Sequence, residues 1–329
     1  MIVRTAKLLL AGAVVWAMTA VAQQPGAGAP TVTVAVAPST DMSLMIVAVN
    51  KGFLQKQGLN AQLQLFDSAP AALQGVVAGR ADITENTEPP QLGARARGAK
   101  IVQVMTGYLS GKQNALVVNS DLIKKPADLM GKPVGVQRGS GANYHLAWFL
   151  DHNHIPADKV QVKYMDAPDQ IPALARGDID AFFSWEPYVS KAADTVPKAK
   201  IYSRTVDDGF AFAGNVVMRE DMARNQKDVA VKIVKGLIEA ADWMKANPMD
   251  AAKAVNEVLR APSLEQLSQQ IQYLDWPGDF RKKTIEQEVN IANWGVGIGL
   301  FPAKDGRKLV DELVYPAIIK EAAPGRTDF

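Results

Sequence analysis

The sequence contains no cysteine and only three histidines among its 329 residues. The absence of cysteine excludes disulfides, thiolate metal sites, a cysteine nucleophile and a lipid-bearing cysteine after a leader segment. The charges nearly balance, with 36 Lys+Arg against 34 Asp+Glu, so neither a basic surface for nucleic acid nor an acidic disordered tract is indicated. Stability must come from an apolar core, which a hydrophobic content of 48% can supply.

The common catalytic motifs are also absent. The chain has no GxSxG, HExxH, Walker or GxGxxG pattern. His152 and His154 could begin a metal site, but no third ligand lies near them in the sequence, and a solvated helix end is the simpler interpretation. We therefore expect a protein that is not an enzyme, with no catalytic residues, no metal and no cofactor.

The first residues read as a leader segment. Arg4 and Lys7 precede a short apolar run, and Ala20-Val21-Ala22 supplies small residues at a cleavage position. This pattern predicts a signal peptide over residues 1–22, too short to span a membrane, followed by a flexible lead-in over 23–30. An uncleaved anchor is the alternative. With no cysteine to carry lipid, the mature chain is expected to be soluble in the periplasm.

One stretch of the chain occurs twice. The segment from Asp67 to Pro89 matches the segment from Met165 to Pro187 without a gap, 98 positions further along. Each copy predicts a strand end, a short helix opened by a polar residue or proline, a glycine stop and a second strand. Such self-similarity indicates one supersecondary unit used twice, and two matching α/β lobes imply a cleft between them. Chance matching in an alanine-rich chain is the alternative.

The order of elements predicts an α/β protein with mixed sheets flanked by helices. Short β-branched runs such as Thr31–Ala37 alternate with helices, and a strand at Phe210–Met218 returns the chain to the first lobe. The tail is mostly helical, with strong periodicity over Lys227–Ala246. We assign 31–118 plus 215–329 to a discontinuous first lobe and 119–214 to the second.

Four strand-to-helix junctions are candidates for a site, because α/β folds bind ligands at the carboxyl ends of strands. They are Pro38–Asp41, Asp67-Ser68, Gly139–Gly141 and Asp166–Asp169. The Gly-Ser-Gly turn could offer free helix amides to an anion, or be an ordinary serine-capped turn.

Two residues just past a later strand could also face a ligand. Trp185 could stack on a solute and Glu186 could accept from an amine. Alternatively, Trp185 covers the core and Glu186 is solvated.

The sequence resembles the periplasmic substrate-binding proteins of nitrate/sulfonate/taurine-type ABC importers, a group that includes thiamine-precursor-like pyrimidine binders. The resemblance covers almost the whole chain after the leader. The segments that carry it are Ala48–Leu59, Leu73–Ile83, Asp128–Val136 and Ala175–Ala181 with Trp185–Pro187.

The resemblance implies a two-lobed type II periplasmic-binding-protein fold with a cleft between the lobes, closing over a small-molecule solute. The partners it implies are an ABC permease and its ATPase at the inner membrane, and the protein is expected to be a monomer. Carried over by position, the ligand-binding residues would be Ser39, Thr40, Ser68, Glu85 and Asn86 from the first lobe, Ser140, Gly141, Trp185 and Glu186 from the second, and Asn215 near the return crossover.

One departure from the family pattern bears on the ligand. Where relatives often place an aromatic residue and a proline, this chain has an acid, Asp41. Asp41, Glu85 and Glu186 in one cleft would repel nitrate or a bare sulfonate. A taurine-like zwitterion fits better, with its anion at the Gly-Ser-Gly turn and its amine at a carboxylate. An amino-pyrimidine is the alternative, as is a secreted sensor with no transport role.

Overall fold

The computed structural model describes residues 28–261 and 263–329. The predicted signal peptide (1–22) and most of the predicted lead-in (23–30) lie outside the described residues. Across the described part of the chain, no helix combines the length and the apolar character needed to cross a bilayer.

The chain alternates strands with helices through its first two thirds and becomes mostly helical in its last third. The strands are β1 (Thr31–Val36), β2 (Asn60–Leu65), β3 (Ile83–Thr87), β4 (Ile101–Ser110), β5 (Asn114–Asn119), β6 (Pro133–Val136), β7 (Gln161–Tyr164), β8 (Ala181–Trp185), β9 (Ala199–Arg204), β10 (Phe212–Arg219) and β11 (Leu274–Asp275). The helices are α1 (Ser43–Asn50), α2 (Phe53–Lys56), α3 (Ala69–Val77), α4 (Glu88–Ala96), α5 (Gly141–His152), α6 (Ala167–Arg176), α7 (Tyr188–Thr195), α8 (Glu220–Asn225), α9 (Lys227–Ala246), α10 (Pro248–Leu259), α11 (Leu264–Ile271), α12 (Lys282–Gly297), α13 (Gly306–Leu313) and α14 (Ala317–Ala322).

The strands form two mixed sheets. The first has the order β11-β4-β10-β3-β1-β2, with β1 parallel to β2 and β3 and with β10 antiparallel to β3 and β4. The second has the order β7-β6-β8-β5-β9, with β6 parallel to β7 and β8. Both copies of the sequence repeat therefore fold alike, as β2-α3-β3 beside β1 and as β7-α6-β8 beside β6.

Each sheet has its own apolar core. The first sheet shares a single buried cluster with the helical tail, and this cluster includes Val34 of β1, Leu237 of α9 and Leu313 of α13. The second sheet separates two clusters, one containing Leu116 and Phe149 and the other Val117 and Phe182. Alternate residues of β5 thus face opposite helical layers, as the twofold strand period requires.

The pairing of β5 differs from the prediction that the chain leaves the first lobe after Val118. This strand pairs with β8 and β9 of the second sheet, so the first crossing lies at residues 111–113. The return crossing lies at 205–211, between β9 and β10. The two crossings are joined by hydrogen bonds, including one from Thr205 Oγ1 to the Gly111 carbonyl at 2.9 Å. The domain limits outside these crossings stay a prediction.

Two helical segments are each divided into two shorter helices. The segment Met42–Gln57 contains α1 and α2, separated by Gly52, whose φ of +76° is a left-handed conformation that suits glycine. The segment Gly306–Ile319 contains α13 and the start of α14, with Pro316 between them. Proline lacks the amide that a continuous helix would need there.

Candidate functional site

A cavity of about 100 Å³ lies between the two sheets. It is bounded by segments that follow strand ends: 37–41 after β1, 67–70 after β2, 86–90 at the end of β3, 140–142 after β6 and 185–188 at the end of β8. Tyr108 on β4 and the crossing residues Gln113 and Asn114 complete its lining. Carboxyl ends of parallel strands meet at one edge of a sheet, so both sheets deliver their loops to the same space.

Two helices begin at the cavity, one from each sheet. Ser68 caps α3 and accepts a hydrogen bond from the Ala71 amide at 3.3 Å. Ser140 caps α5 and accepts one from the Asn143 amide at 3.3 Å. A helix leaves its first amides without intrahelical partners and carries a partial positive charge at its start. The cavity is therefore polarised to attract an anion.

The turn before α5 holds the helix start in place. The Ser140 hydroxyl also donates to the Gln137 carbonyl at 2.7 Å, and the Gly139 amide donates to Asn143 Oδ1 at 3.0 Å. Gly139 has a φ of +73°, which other residues rarely adopt. At Gly141 an added Cβ would lie 3.4 Å from Asn114 Nδ2 and from the Phe212 ring, so a side chain there would sit tightly against both.

Asp41 and Asp67 both bring a carboxyl group to the cavity from the first sheet, and Asp41 is the less exposed of the two. It lies in a short 3-10 helix, Thr40–Met42, that opens directly after β1. Its Oδ2 accepts a hydrogen bond from the Tyr108 hydroxyl at 3.4 Å, whereas its buried Oδ1 has no hydrogen-bond partner. Burial raises the pKa of Asp41 above its ordinary value. A cationic group in the cavity would satisfy the free oxygen and favour ionisation.

Glu85 lies behind Asp41, outside the cavity lining. Its side chain is fully buried, and neither carboxyl oxygen has a hydrogen-bond partner. Burial, and then the negative charge of Asp41, hold the pKa of Glu85 well above its ordinary value. Gly107 makes this position possible, because a Cβ there would lie 1.7 Å from Glu85 Oε1.

Glu186 also lies outside the lining, with both carboxyl oxygens engaged. Oε1 pairs with Arg204 Nη2 at 2.9 Å, and Oε2 accepts from the Ser190 amide at 3.0 Å. Arg204 reaches further, donating to the Lys112 carbonyl and lying 5.1 Å over the Tyr273 ring. The structure thus places Glu186 in a buried ion pair, where the sequence analysis had placed it against a ligand amine.

An aromatic wall closes the cavity on the side of the second sheet. Trp185, at the end of β8, and Tyr188, the first residue of α7, both line the cavity. Their rings meet edge to face, with centroids 6.1 Å apart. This pair could contact the apolar body or the ring of a solute.

Seven of the predicted site residues line this cavity, and their roles in ligand binding stay predictions. The seven are Ser39, Asp41, Ser68, Asn86, Ser140, Gly141 and Trp185. Two of the remaining four, Glu85 and Glu186, are described above. Thr40 accepts a hydrogen bond from Gln113 Nε2 at 3.2 Å, and Asn215 accepts one from the Thr106 hydroxyl at 2.9 Å. Thr40 is thereby joined to a lining residue, whereas neither Asn215 nor Thr106 lines the cavity.

The lining residues that sequence reasoning missed include Tyr108, Gln113, Asn114 and Tyr188. Tyr108 carried a weak signal, being the one aromatic residue of β4 and having a polar tip. The position of Gln113 and Asn114 at the cavity could not be predicted, because it depends on the pairing of β5 with the second sheet.

Within 28–261 and 263–329, no group of three or more His, Asp or Glu side chains has a metal-binding arrangement. The ring of His152 stacks on Trp148, with centroids 4.5 Å apart.

The model of the NMT1/THI5-like family matches residues 39–251. The chain belongs to this family. The taurine-binding periplasmic protein of Escherichia coli (strain K12) is 30% identical to it over 223 residues, which cover 68% of this chain and 69% of that protein. The alkanesulfonate-binding protein SsuA from Xanthomonas axonopodis pv. citri, solved with MOPS bound, has a TM-score of 0.74 at 18% identity, covering 88% of this chain and 99% of that one. The periplasmic aliphatic sulphonate binding protein SsuA from Escherichia coli has a TM-score of 0.74 at 18% identity, covering 85% of this chain and 96% of that one.

The predicted fold class is confirmed by these neighbours. The NMT1/THI5-like chain has the two-lobed periplasmic-binding-protein fold, with mixed sheets flanked by helices and a cleft between the lobes. The resemblance stated from the sequence motifs is confirmed as well.

Proposed function

We propose that the protein is the solute-binding component of an ABC importer, and that it captures a small taurine-like aminosulfonate. One observation carries the proposal: the start of α5 and Asp41, whose carboxyl group keeps one oxygen without a hydrogen-bond partner, line the same cavity from opposite sheets. The first attracts an anion and the second a cation. A small zwitterion satisfies both, whereas nitrate or a plain sulfonate leaves Asp41 without a partner.

The named relatives favour the same chemistry. One is taurine-binding, and taurine carries a sulfonate and an ammonium group on a two-carbon stem. The others bind alkanesulfonates or were solved with a sulfonate buffer. The aminosulfonate in our proposal combines the sulfonate group that these ligands share with an ammonium group that could pair with Asp41.

Closure of the two lobes would couple capture to transport. A solute that contacts α5 from one lobe and Asp41 from the other binds the closed state better, and its differential affinity shifts the equilibrium toward closure. The crossings at 111–113 and 205–211 are the segments about which the lobes would rotate. The closed form would then deliver the solute to a permease coupled to its ATPase.

Calorimetric titration of the chain from residue 23 with taurine, ethanesulfonate, nitrate and aminopyrimidines tests the ligand class. At about 100 times its dissociation constant, a ligand that binds only the folded state adds roughly 2.7 kcal/mol to the free energy of unfolding, so thermal shifts give an independent check. We expect taurine to bind and ethanesulfonate to bind more weakly. Binding of nitrate alone would exclude the aminosulfonate and keep the solute-binding role.

Asp41→Asn tests the residue that is proposed to hold the ammonium group. It keeps the shape and the contact with Tyr108, and we expect the affinity for taurine to fall about tenfold or more while ethanesulfonate is unaffected. Asp67→Asn is the matched control, because Asp67 also lines the cavity but is exposed. Equal losses in both variants would point to a general field effect and against a specific contact.

A small aromatic amine is a second candidate solute, favoured by the Trp185–Tyr188 pair on the wall. The matching family description, NMT1/THI5 like, is compatible with it. If an aminopyrimidine binds more tightly than taurine and Trp185→Ala removes that preference, the aromatic solute replaces the aminosulfonate.

We also propose that the protein acts in the periplasm without a lipid anchor. The support is the leader pattern over 1–22, the absence of cysteine and the periplasmic names of its relatives. Sequencing the N-terminus of the exported protein should give Gln23. Retention of Met1 in a membrane fraction would indicate the uncleaved anchor.

A further inference from the structure

A second cavity opens beside the first, between the same two lobes. Its volume is about 220 Å³. Pro70, Pro90 and Ser140 line both cavities, so the two spaces meet at the start of α5. A solute bound in the first cavity could therefore extend into the second without leaving the cleft.

The second cavity carries positive charge from both lobes. Arg97, at the end of α4, and Arg138, before the start of α5, line it, and the lining contains no Asp or Glu. In the described part of the chain, neither guanidinium is hydrogen-bonded or ion-paired to a carboxylate. Arg95, two residues before Arg97, forms an ion pair with Glu220, with Nη1 and Oε2 3.3 Å apart. The two neighbouring arginines therefore differ in whether a carboxylate lies within reach. We call this space the arginine cavity.

The arginine cavity also has apolar side chains in its walls. Leu73 comes from α3, and Leu300 and Phe301 come from the segment after α12. Such a surface would shelter a methylene stem, while the guanidinium groups, which are exposed, would meet the charged end of that stem at the rim. Arg138 already lies 5.2 Å over the Tyr164 ring, which limits where its side chain can go.

We propose that the arginine cavity is a second anion subsite, and that the protein prefers an ω-amino acid of the sulfonate, phosphonate or carboxylate type with a stem longer than that of taurine. This inference rests on the proposed function, since Asp41 must hold the ammonium end. The stem then passes Ser140 and places the terminal anion between Arg97 and Arg138. The short solute of the previous section occupies only the first cavity.

A homologous series tests this directly. We would titrate taurine, 3-aminopropanesulfonate, 4-aminobutanesulfonate and 5-aminopentanesulfonate against the wild type, Arg97→Gln and Arg138→Gln. The wild type should bind the best long member about tenfold more tightly than taurine, the ratio expected for one charge-assisted hydrogen bond at an exposed site. The ratio should fall to about one in either variant and should shrink in 0.5 M NaCl for the wild type, because exposed charges are screened.

Arg80→Gln is the matched control. Its guanidinium also lacks a carboxylate partner in the described chain, but it lies 5.4 Å over Phe66, away from both cavities. Because the readout is a ratio of two affinities measured on the same preparation, partial misfolding of a variant does not change it. A ratio near one in the wild type, or an equal loss in Arg80→Gln, would overturn the second subsite while leaving the proposed function intact. Failure of every member to bind would overturn both.

Discussion

The two copies of the repeat place a glutamate at the same position, but its side chain has different partners in the two copies. Glu88 in the first copy corresponds to Glu186 in the second, and both side chains are fully buried. Glu186 faces the cation of Arg204. Glu88 accepts a hydrogen bond from the Ala213 amide at 2.8 Å, and burial and the nearby Glu288 hold its pKa well above the ordinary value.

The difference shows which properties a repeated sequence determines. Both copies have the same strand, helix and strand, and both glutamates follow the second strand of their unit. The surroundings of each carboxyl, however, depend on a partner supplied by a distant segment: β9 for Glu186 and α12 for Glu88. Glu186 is thus compensated by a cation, whereas Glu88 has a raised pKa, and we expect it to hold its proton.

Breaking the ion pair should have the largest effect. Arg204→Met leaves the carboxylate of Glu186 buried without a cation, and we expect a loss of about 3–5 kcal/mol in the free energy of unfolding. Urea denaturation measures it. Arg176→Met, which removes an exposed pair with Asp178, should cost less than about 1 kcal/mol. Similar losses in the two variants would show that Glu186 is solvated.

The same substitution in each copy should separate them further. Glu186→Gln strands a half-buried guanidinium and should cost about 2 kcal/mol. Glu88→Gln replaces a neutral carboxyl by a neutral amide that can still accept from Ala213, so the cost should stay under about 1 kcal/mol at pH 6. Chemical denaturation of both variants side by side is sufficient, and a larger cost at Glu88 would contradict its neutral state.

The pH dependence of the free energy of unfolding should reveal the protonated state of Glu288, the carboxyl near Glu88. Burial raises the pKa of Glu288 to about 8 from an ordinary value of 4.5. The folded state therefore holds a proton that the unfolded state releases, so its contribution is complete below pH 4.5 and is lost as the pH rises toward 8. Wild type should lose on the order of 1 kcal/mol per pH unit relative to Glu288→Gln over this window. The exposed Glu286→Gln on the same helix should keep the wild-type slope.

Exchanging the cavity residues of the two copies should affect binding more than stability. Thr87 and Trp185 occupy equivalent positions, and both line the cavity. Trp185→Thr removes the aromatic wall, and we expect the affinity for the best solute of the proposed class to fall about tenfold in calorimetry. Unchanged affinity would mean that the ring lies beside the solute without contacting it.

The smallest difference should come from the helix starts of the two units. Ser68 caps α3 through the Ala71 amide, whereas its counterpart Asp166 makes no capping hydrogen bond with its side chain. Ser68→Ala should lower the free energy of unfolding by about 1 kcal/mol, and Asp166→Ala should change it by only a few tenths. Thermal denaturation can compare the two, and equal effects would indicate that Asp166 does cap α6 in solution.

Much of the fold could be predicted because local signals were strong. The apolar period of Lys227–Ala246 gave α9 with both ends, and the Gly177 stop gave the end of α6, where its φ is +80°. The sheet membership of β5 could not be predicted, since its apolar run suits either sheet and only pairing with β8 and β9 decides.

The loops that line the candidate site could be predicted from the sequence. The surroundings of the buried carboxyl groups behind those loops could not. Glycine, serine and proline at strand ends marked the segments that line the cavity. The charge of Glu186 is compensated by Arg204, which lies on another strand. No local sequence pattern links these two residues. Burial of Glu85 beside Gly107 likewise required the register of β3, β10 and β4.

The central position of β10 in the first sheet imposes an order of assembly on the chain. This strand lies between β3 and β4, yet it is synthesised only after the whole second sheet. A chain delivered from its N-terminus can complete the contiguous second lobe first, while β3 and β4 still present open edges to any other strand nearby. Insertion of Phe212–Arg219 between β3 and β4 pairs these two open edges. The strand that returns the chain to the first lobe therefore also removes the edges at which aggregation could begin.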